Sequence, residues 1–289
     1  MMRIVNNFKI IVLLSTLTLL LIFIGRLIGG PRGMLVAFLL AVIINFVSYW
    51  FSDRIVLMMY GAKPVNEVDA PDLFRVIRSL TRKAGLPMPR VYIIPIMTPN
   101  AFATGRDPSH AAVAVTQGIL KMMDESEIEG VLAHEMAHVR NSDILLATIV
   151  ATIAGAISML ANMARWTAIF GGSSGRDSEN KGRNIISQLF LIIVAPIAAL
   201  LIQLAISRSC EYRADEVGGR ISHNPLALAS ALEKLHLGAK RLPMAANPAT
   251  AHMFIVNPLT GGGILSLFST HPPIEKRIER LKRLSKEIA

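Results

Sequence analysis

The sequence predicts a mainly α-helical membrane protein that also carries a small β-sheet. Three observations predict it. The 289 residues are 52% hydrophobic and only 17% charged, whereas a soluble domain is about one quarter charged. Four segments, near residues 8–28, 34–51, 144–163 and 185–206, have the roughly 20 apolar residues that a helix needs to cross about 30 Å of hydrocarbon. The polar stretches beside them alternate between helical and strand-like periodicity.

The first segment follows Arg3 and Lys9. Its apolar run is too long for a signal peptide and no A-x-A site follows, so it reads as an uncleaved anchor. Arg26, near its end, can snorkel to the interface. A short GRLIGGPRG turn joins it to the second segment as a hairpin. The third and fourth segments are joined by a Gly/Ser-rich charged loop, residues 164–184. Pro196 lies inside the fourth, where a bundle tolerates a kink. The chain thus divides into an N-terminal hairpin (1–52), a first polar half (53–143), a second hairpin (144–206) and a second polar half (207–289). Both polar halves fall on the same side as the N-terminus. That side holds 24 of the 30 Lys and Arg residues, which places it in the cytoplasm.

The net charge of +10 invites a nucleic-acid partner, yet only 6% of residues are aromatic and no nucleic-acid motif is present. The basic residues instead flank spans and face lipid headgroups. The single cysteine, Cys210, excludes a disulfide framework within the chain and a Cys-rich metal site. It fits a reducing compartment for the water-exposed parts.

In the first polar half, Leu73, Val76, Ile77 and Leu80 recur at helical spacing, and Ala84-Gly85 ends that helix. VYIIP reads as a strand, NAFATG as extended or turning, and HAAVAVTQGIL as another strand leading to a polar turn. Ser126 with Glu129 is a capping box, so a helix starts there, with Ile128, Val131, Leu132 and Val139 on its apolar face. In the second half, SRSCEYRADEVGGRI reads as a helix ending at Gly218-Gly219, and NPLALASALEKLHLGAK as another. Residues 242–271 read as loop-rich. The tail PPIEKRIERLKRLSKEI is helical, with Ile274, Ile278 and Leu281 on one side.

The chemistry centres on VLAHEMAHVRNSD, residues 131–143. Residues four apart share a helix face, so His134 and His138 can hold one metal ion between them. Glu135 is turned about 100° round the axis, where it can reach a water on the same ion. This is the H-E-x-x-H pattern of two imidazole ligands and a general base, and it predicts a helical, zincin-type catalytic domain. Catalytic Zn²⁺ takes a third protein ligand and keeps one position open. Glu211 is the candidate, because antiparallel packing of the third and fourth segments returns Ser207 to the membrane face that Asp143 leaves. Asp215, four residues on, can accept the free ring N–H of His134. The plain alternative is a solvated charged face shared with Arg208, Arg213 and Glu216. An oxyanion requires a further donor; His271 in STHPP, Tyr212, Arg213 and His252 are candidates. Asn100, Ala101 and Phe102 can pair with an extended substrate, or can form a plain turn with Phe102 buried.

HEMAH followed by N-x-D, a later EYRAD after a hydrophobic span, NAFATG upstream and STHPP near the end together resemble the HtpX-type membrane zinc endopeptidases. These belong to a larger group with the CAAX prenyl proteases, and the resemblance covers essentially the whole chain. It implies one zinc ion per chain held by His134, His138 and Glu211, with Glu135 as base. It also implies an outer shell containing Asp215 and Asn141. Protein substrates that are themselves membrane proteins, quality control under stress, a bacterial inner plasma membrane location and self-cleavage follow from it too. The family often has Gly after the asparagine, where this chain has Ser142.

Three other readings compete. An intramembrane protease would carry its motif inside a span, but Glu125, Glu127, Glu129, Arg140 and Asp143 flank this one and are too costly at bilayer depth. A non-proteolytic adaptor with structural zinc would favour four closed, Cys-rich ligands. A CAAX-type prenyl protease usually has more spans.

Overall fold

The computed structural model describes residues 2–150, 152–153, 208–241, 255 and 272–288. Its first element, α1 (Met2–Met59), is a helical hairpin that reverses at Gly29 and Gly30. Gly30 has φ 58° and ψ −144°, a region open essentially to glycine alone. Pro31 follows, its φ already suited to opening a new helix. Across the hairpin, Asn45 Nδ2 donates to Thr18 Oγ1 at 2.8 Å. Two stretches are apolar and long enough to cross a bilayer, Val5–Phe23 and Gly29–Met59, and only 22% and 11% of them is buried. Phe8, Phe23, Phe38 and Phe46 point outward, which suits lipid and would be unfavourable in water.

The first two expected segments therefore form the expected hairpin, although the second runs past residue 51 to Met59. Of the third segment, residues 144–150 and 152–153 are helical. Leu145, Leu146, Ile149, Val150 and Ile153 pack there against Ile10, Leu13 and Leu17 of α1. The rest of that segment, the loop 164–184 and the fourth segment lie outside the described residues.

A four-stranded sheet comprises β1 (Lys63–Pro64), β2 (Arg90–Ile94), β3 (Ala101–Thr104) and β4 (Ala112–Thr116), in the order β1-β2-β4-β3. The β2–β4 pair is parallel and the outer pairs are antiparallel. NAFATG thus resolves as strand β3, at the sheet's edge. HAAVAVTQGIL does not run into a polar turn; after Thr116 it becomes helix α3 (Gln117–Met122), capped where Thr116 Oγ1 accepts from the Ile119 N–H.

Helix α2 (Pro71–Ala84) buries Leu73, Val76, Ile77 and Leu80 and ends at a left-handed Gly85, as its periodicity predicts. Helix α4 (Glu125–Asn141) opens two residues earlier than expected. Asp124, not Ser126, is the cap: it accepts from the Glu127 N–H while Glu127 accepts from the Asp124 N–H. Both pairs have capping-box spacing. Burial decides between them, because Glu127 faces inward to Ser230 and Lys234 while Glu129 pairs with Lys83 at the surface.

Helices α5 (Arg208–Ser222), α6 (Pro225–Arg241) and α7 (Ile274–Ile288) complete the described fold. The expected stop at Gly218-Gly219 does not occur; α5 continues to Ser222. Those glycines serve packing. A Cβ on Gly218 would sit 2.8 Å from the His134 nitrogen and 2.9 Å from its Cα, so the bare backbone lets α5 lie directly on α4. Helix α4 is central: α2, α5, α6 and β3 all pack on it, and Leu132, Met136, Val113, Leu228, Leu232 and Leu281 share one core.

Gly218→Val must push these helices apart. Overpacking of this kind costs about 1–3 kcal/mol, so thermal unfolding of the variant is expected to occur several degrees lower. An unchanged midpoint would contradict the close crossing.

Candidate metal centre

Near its C-terminal end α4 presents both histidines inward. His134 Nε2 and His138 Nε2 are 3.2 Å apart. From α5, the Glu211 carboxylate lies 3.5 Å from His138 Nε2 and 3.8 Å from His134 Nε2. The potential donor atoms of the three side chains all lie within 4.8 Å of one another. Two ligands about 2.0–2.1 Å from a tetrahedral zinc ion are separated by about 3.3 Å, so the spacing fits that ion without rearrangement. The two-nitrogen, one-oxygen donor set is also one zinc accepts.

The opposite ring nitrogens face carboxylates. His134 Nδ1 is 3.0 Å from Asp215 Oδ1, a contact that is short but poorly aligned. His138 Nδ1 is 3.4 Å from Asp143 Oδ2. Protons on both Nδ1 atoms leave both Nε2 lone pairs directed at the metal position. Burial acts to depress the His138 pKa, but Asp143 and Glu211 overcome it and hold it well above the usual imidazole value. The same negative field favours a cation between the rings.

Asp215 is itself gripped. Arg277 of α7 donates from Nε to Asp215 Oδ2 at 2.8 Å and from Nη2 to Oδ1 at 2.7 Å. Its Nη1 donates to the Ile255 carbonyl at 3.0 Å and lies 3.5 Å from Glu211. Arg277 is 0% exposed. Burial alone would raise the Asp215 carboxyl, but Arg277 and His134 hold it at about 2.

Glu135 lies against the sheet edge, where its Oε2 accepts the Ala103 N–H at 2.9 Å. Burial raises its carboxyl above the ordinary value, against the pull of His134 and His138. The β3 register explains the contact. Thr116 N–H donates to the Asn100 carbonyl, so by antiparallel alternation Phe102 and Thr104 bond to β4 while Ala101 and Ala103 turn to the outer edge.

The expected substrate contacts fall on and beside strand β3. Asn100 is buried, and its Oδ1 accepts from Ile255 N–H. Phe102 packs its ring 5.3 Å from that of Tyr60. Their side chains belong to the core, while the backbone groups of Ala101 and Ala103 turn away from β4, the Ala103 N–H towards Glu135. Asn141, expected in the outer shell, has a buried Nδ2 with no hydrogen-bond partner among the described residues. The Tyr212 ring lies under the Arg280 guanidinium at 4.2 Å, turned to α7. His271 and His252 lie outside the described residues. Sequence reading missed Arg277 and Asp143. Arg277 falls three after Ile274 and four before Leu281, on the stripe that packs inward, and that spacing was the available signal.

Two imidazoles and a carboxylate converging on one point, with a second carboxylate at a strand edge, define the site of a metal-dependent hydrolase. The chain belongs to peptidase family M48, whose model matches residues 67–285. It is 55% identical over 280 residues to "Protease HtpX homolog" of Syntrophobacter fumaroxidans, covering 96% of this chain and 99% of the relative. It is 56% identical over 278 residues to the protein of the same description from Thermococcus kodakarensis, with 96% and 95% covered, and 53% identical over 271 residues to that of Aquifex aeolicus, with 93% and 90% covered. Among solved structures, Ste24p of S. mikatae has a similar fold, with TM-score 0.50 and 17% identity over 97% of this chain; the match spans 66% of that protein. The family makes this chain a peptidase, and its apolar hairpin makes it a membrane protein.

Removing one partner of a buried ion pair costs about 3–5 kcal/mol. Arg277→Met is therefore expected to lower the unfolding midpoint of the metal-free protein sharply, and a second change, Asp215→Leu, to recover part of the loss. A single variant as stable as wild type would contradict the buried pairing.

Proposed function

We propose that this chain is a zinc-dependent, membrane-anchored endopeptidase that cuts cytoplasmic or membrane-emergent segments of misfolded membrane proteins. The convergence of His134, His138 and Glu211 beside Glu135 at the outer edge of β3 carries the reading. His134 Nε2, His138 Nε2 and the Glu211 carboxylate are the ligands, and Asp215 and Asp143 fix the two rings. Zinc held there would supply Lewis acidity, lowering the pKa of water towards neutrality and polarising the scissile carbonyl.

The remaining steps belong to this chain's residues. Ala103 N–H holds one oxygen of Glu135 and leaves the other to receive the proton of the attacking water. A buried carboxyl with a raised pKa both takes that proton and returns it to the leaving amine. An extended substrate pairs with the backbone of Ala101 and with the Ala103 carbonyl, which registers the scissile bond over the site. His271, in STHPP, is the proposed donor to the oxyanion, and Asn141 is kept in the outer shell by its place beside the ligand turn.

Position supports the choice of substrate. Asp143 is followed directly by the helix that packs on α1, so the ligand helix ends at the membrane. Tyr49 and Trp50 stand near the foot of the second arm, with Arg106 4.9 Å over the Trp50 ring, the amphipathic pairing expected at headgroup level. The domain division proposed is two membrane hairpins, 1–52 and 144–206, alternating with two catalytic halves. The excess of basic residues supports a cytoplasmic face for those halves, and the proposed membrane is a bacterial inner membrane.

Detergent-purified protein supplied with zinc is expected to cleave casein and to nick itself, and a chelator to stop both. Loss of a general base lowers rates by about 10²–10⁴-fold. Glu135→Gln is expected to fall by that much at matched zinc content. Equal cleavage by the variant sinks the assignment, and bound zinc without cleavage by wild type favours a structural-zinc adaptor.

A further inference from the structure

The first membrane helix is joined to the metal centre through one side chain. Asn6, 3% exposed, donates from Nδ2 to Asp143 Oδ1 at 2.8 Å and to the Ser142 carbonyl at 3.2 Å. Both hydrogens of the amide are thus used at the turn that ends α4. That turn is tightly built. Ser142 is left-handed, with φ 59° and ψ 34°. Ser142 N–H donates to the Val139 carbonyl, and Asp143 N–H to the carbonyl of His138 itself.

The other oxygen of Asp143, Oδ2, faces His138 Nδ1. One carboxylate therefore has one oxygen on the membrane helix and one on the imidazole. A carboxylate on a largely buried site needs hydrogen-bond partners. Without Asn6, Oδ1 loses a donor that restrains the carboxylate's rotation about its Cβ–Cγ bond. The amide is held in turn by apolar packing, since Ile10, Leu13 and Leu17 on the same arm lie against Leu145, Leu146 and Ile149 beyond Asp143.

We propose that Asn6, on the first membrane helix, is a positioning residue for the metal centre: it holds Asp143 so that its second oxygen orients the His138 ring. The inference rests on the metal-site reading above. It makes the N-terminal hairpin a part of the site as well as an anchor. Residue type alone hides this, because Asn6 and Asn7 are adjacent in sequence and only Asn6 is buried.

The test uses full-length, detergent-purified protein carrying Glu135→Gln to prevent self-cleavage. Zinc affinity is measured by competition with a chromophoric chelator, and the visible spectrum is recorded with cobalt(II) in place of zinc. Loss of an outer-shell partner weakens metal binding by about 10–100-fold, and Asn6 stands one bond further out. Asn6→Leu is therefore expected to raise the zinc Kd by about five- to tenfold and to shift the cobalt bands. Asn6→Asp, which sets a second carboxylate against Asp143, is expected to do more. Asn7→Leu is expected to match the parent in both. Asn6→Leu with parental Kd and spectrum overturns the inference, even where its metal-free form unfolds earlier, since the contact is then structural only. A parent that takes up neither zinc nor cobalt overturns the metal reading, and this inference with it.

Discussion

A guanidinium shut off from solvent, Arg277, grips both oxygens of Asp215, and Asp215 in turn faces the outer nitrogen of His134. Three helices meet in that contact: α7 brings the arginine, α5 the aspartate and α4 the histidine. Such an arrangement is held together by its own cost. A buried charge with no partner is penalised by several kcal/mol, so the native packing is the one that satisfies all three groups at once. Glu211 lies one helical turn before Asp215 on α5. Fixing Asp215 therefore fixes the height at which Glu211 meets His134 and His138.

Backbone packing does the rest. With no side chain at Gly218, α5 lies against the His134 backbone, close enough for a carboxylate to share a metal with imidazoles on α4. On the other side of α4, strand β3 turns its outer edge to Glu135 through Ala103. The hydroxyls of Thr104 and Thr148, 2.9 Å apart, tie that strand to the helical stretch that begins at Ile144. The two histidines, Glu211, Glu135 and the strand edge thus each bear on a rigid element, which suits chemistry that depends on fixed positions.

Much of this was legible in the sequence because its signals are local or topological. Helical period four pairs His134 with His138, and the hydrophobic segments imply which polar parts meet. What was not legible depends on burial. Asp124/Glu127 and Ser126/Glu129 have identical spacing, and only the inward partners of Glu127 choose between them. Gly218-Gly219 looks like a helix stop until a neighbouring helix needs the space. Arg277 sits among Lys276, Arg280, Lys282 and Arg283, so composition suggests a solvated face although its spacing places it inside. Phe102 read either as a substrate contact or as a buried ring, and only packing shows that its ring lies in the core. Ser142 occupies the left-handed position that ends α4, a position that favours Gly.

Zinc K-edge X-ray absorption on the detergent-purified full-length protein tests the central claim most directly. An open site built from His134, His138 and Glu211 predicts one zinc per chain with two imidazole nitrogens at about 2.0–2.1 Å, oxygen in the remaining positions and no sulfur. A shell containing sulfur, a single imidazole, or a chain that retains no stoichiometric zinc would contradict it.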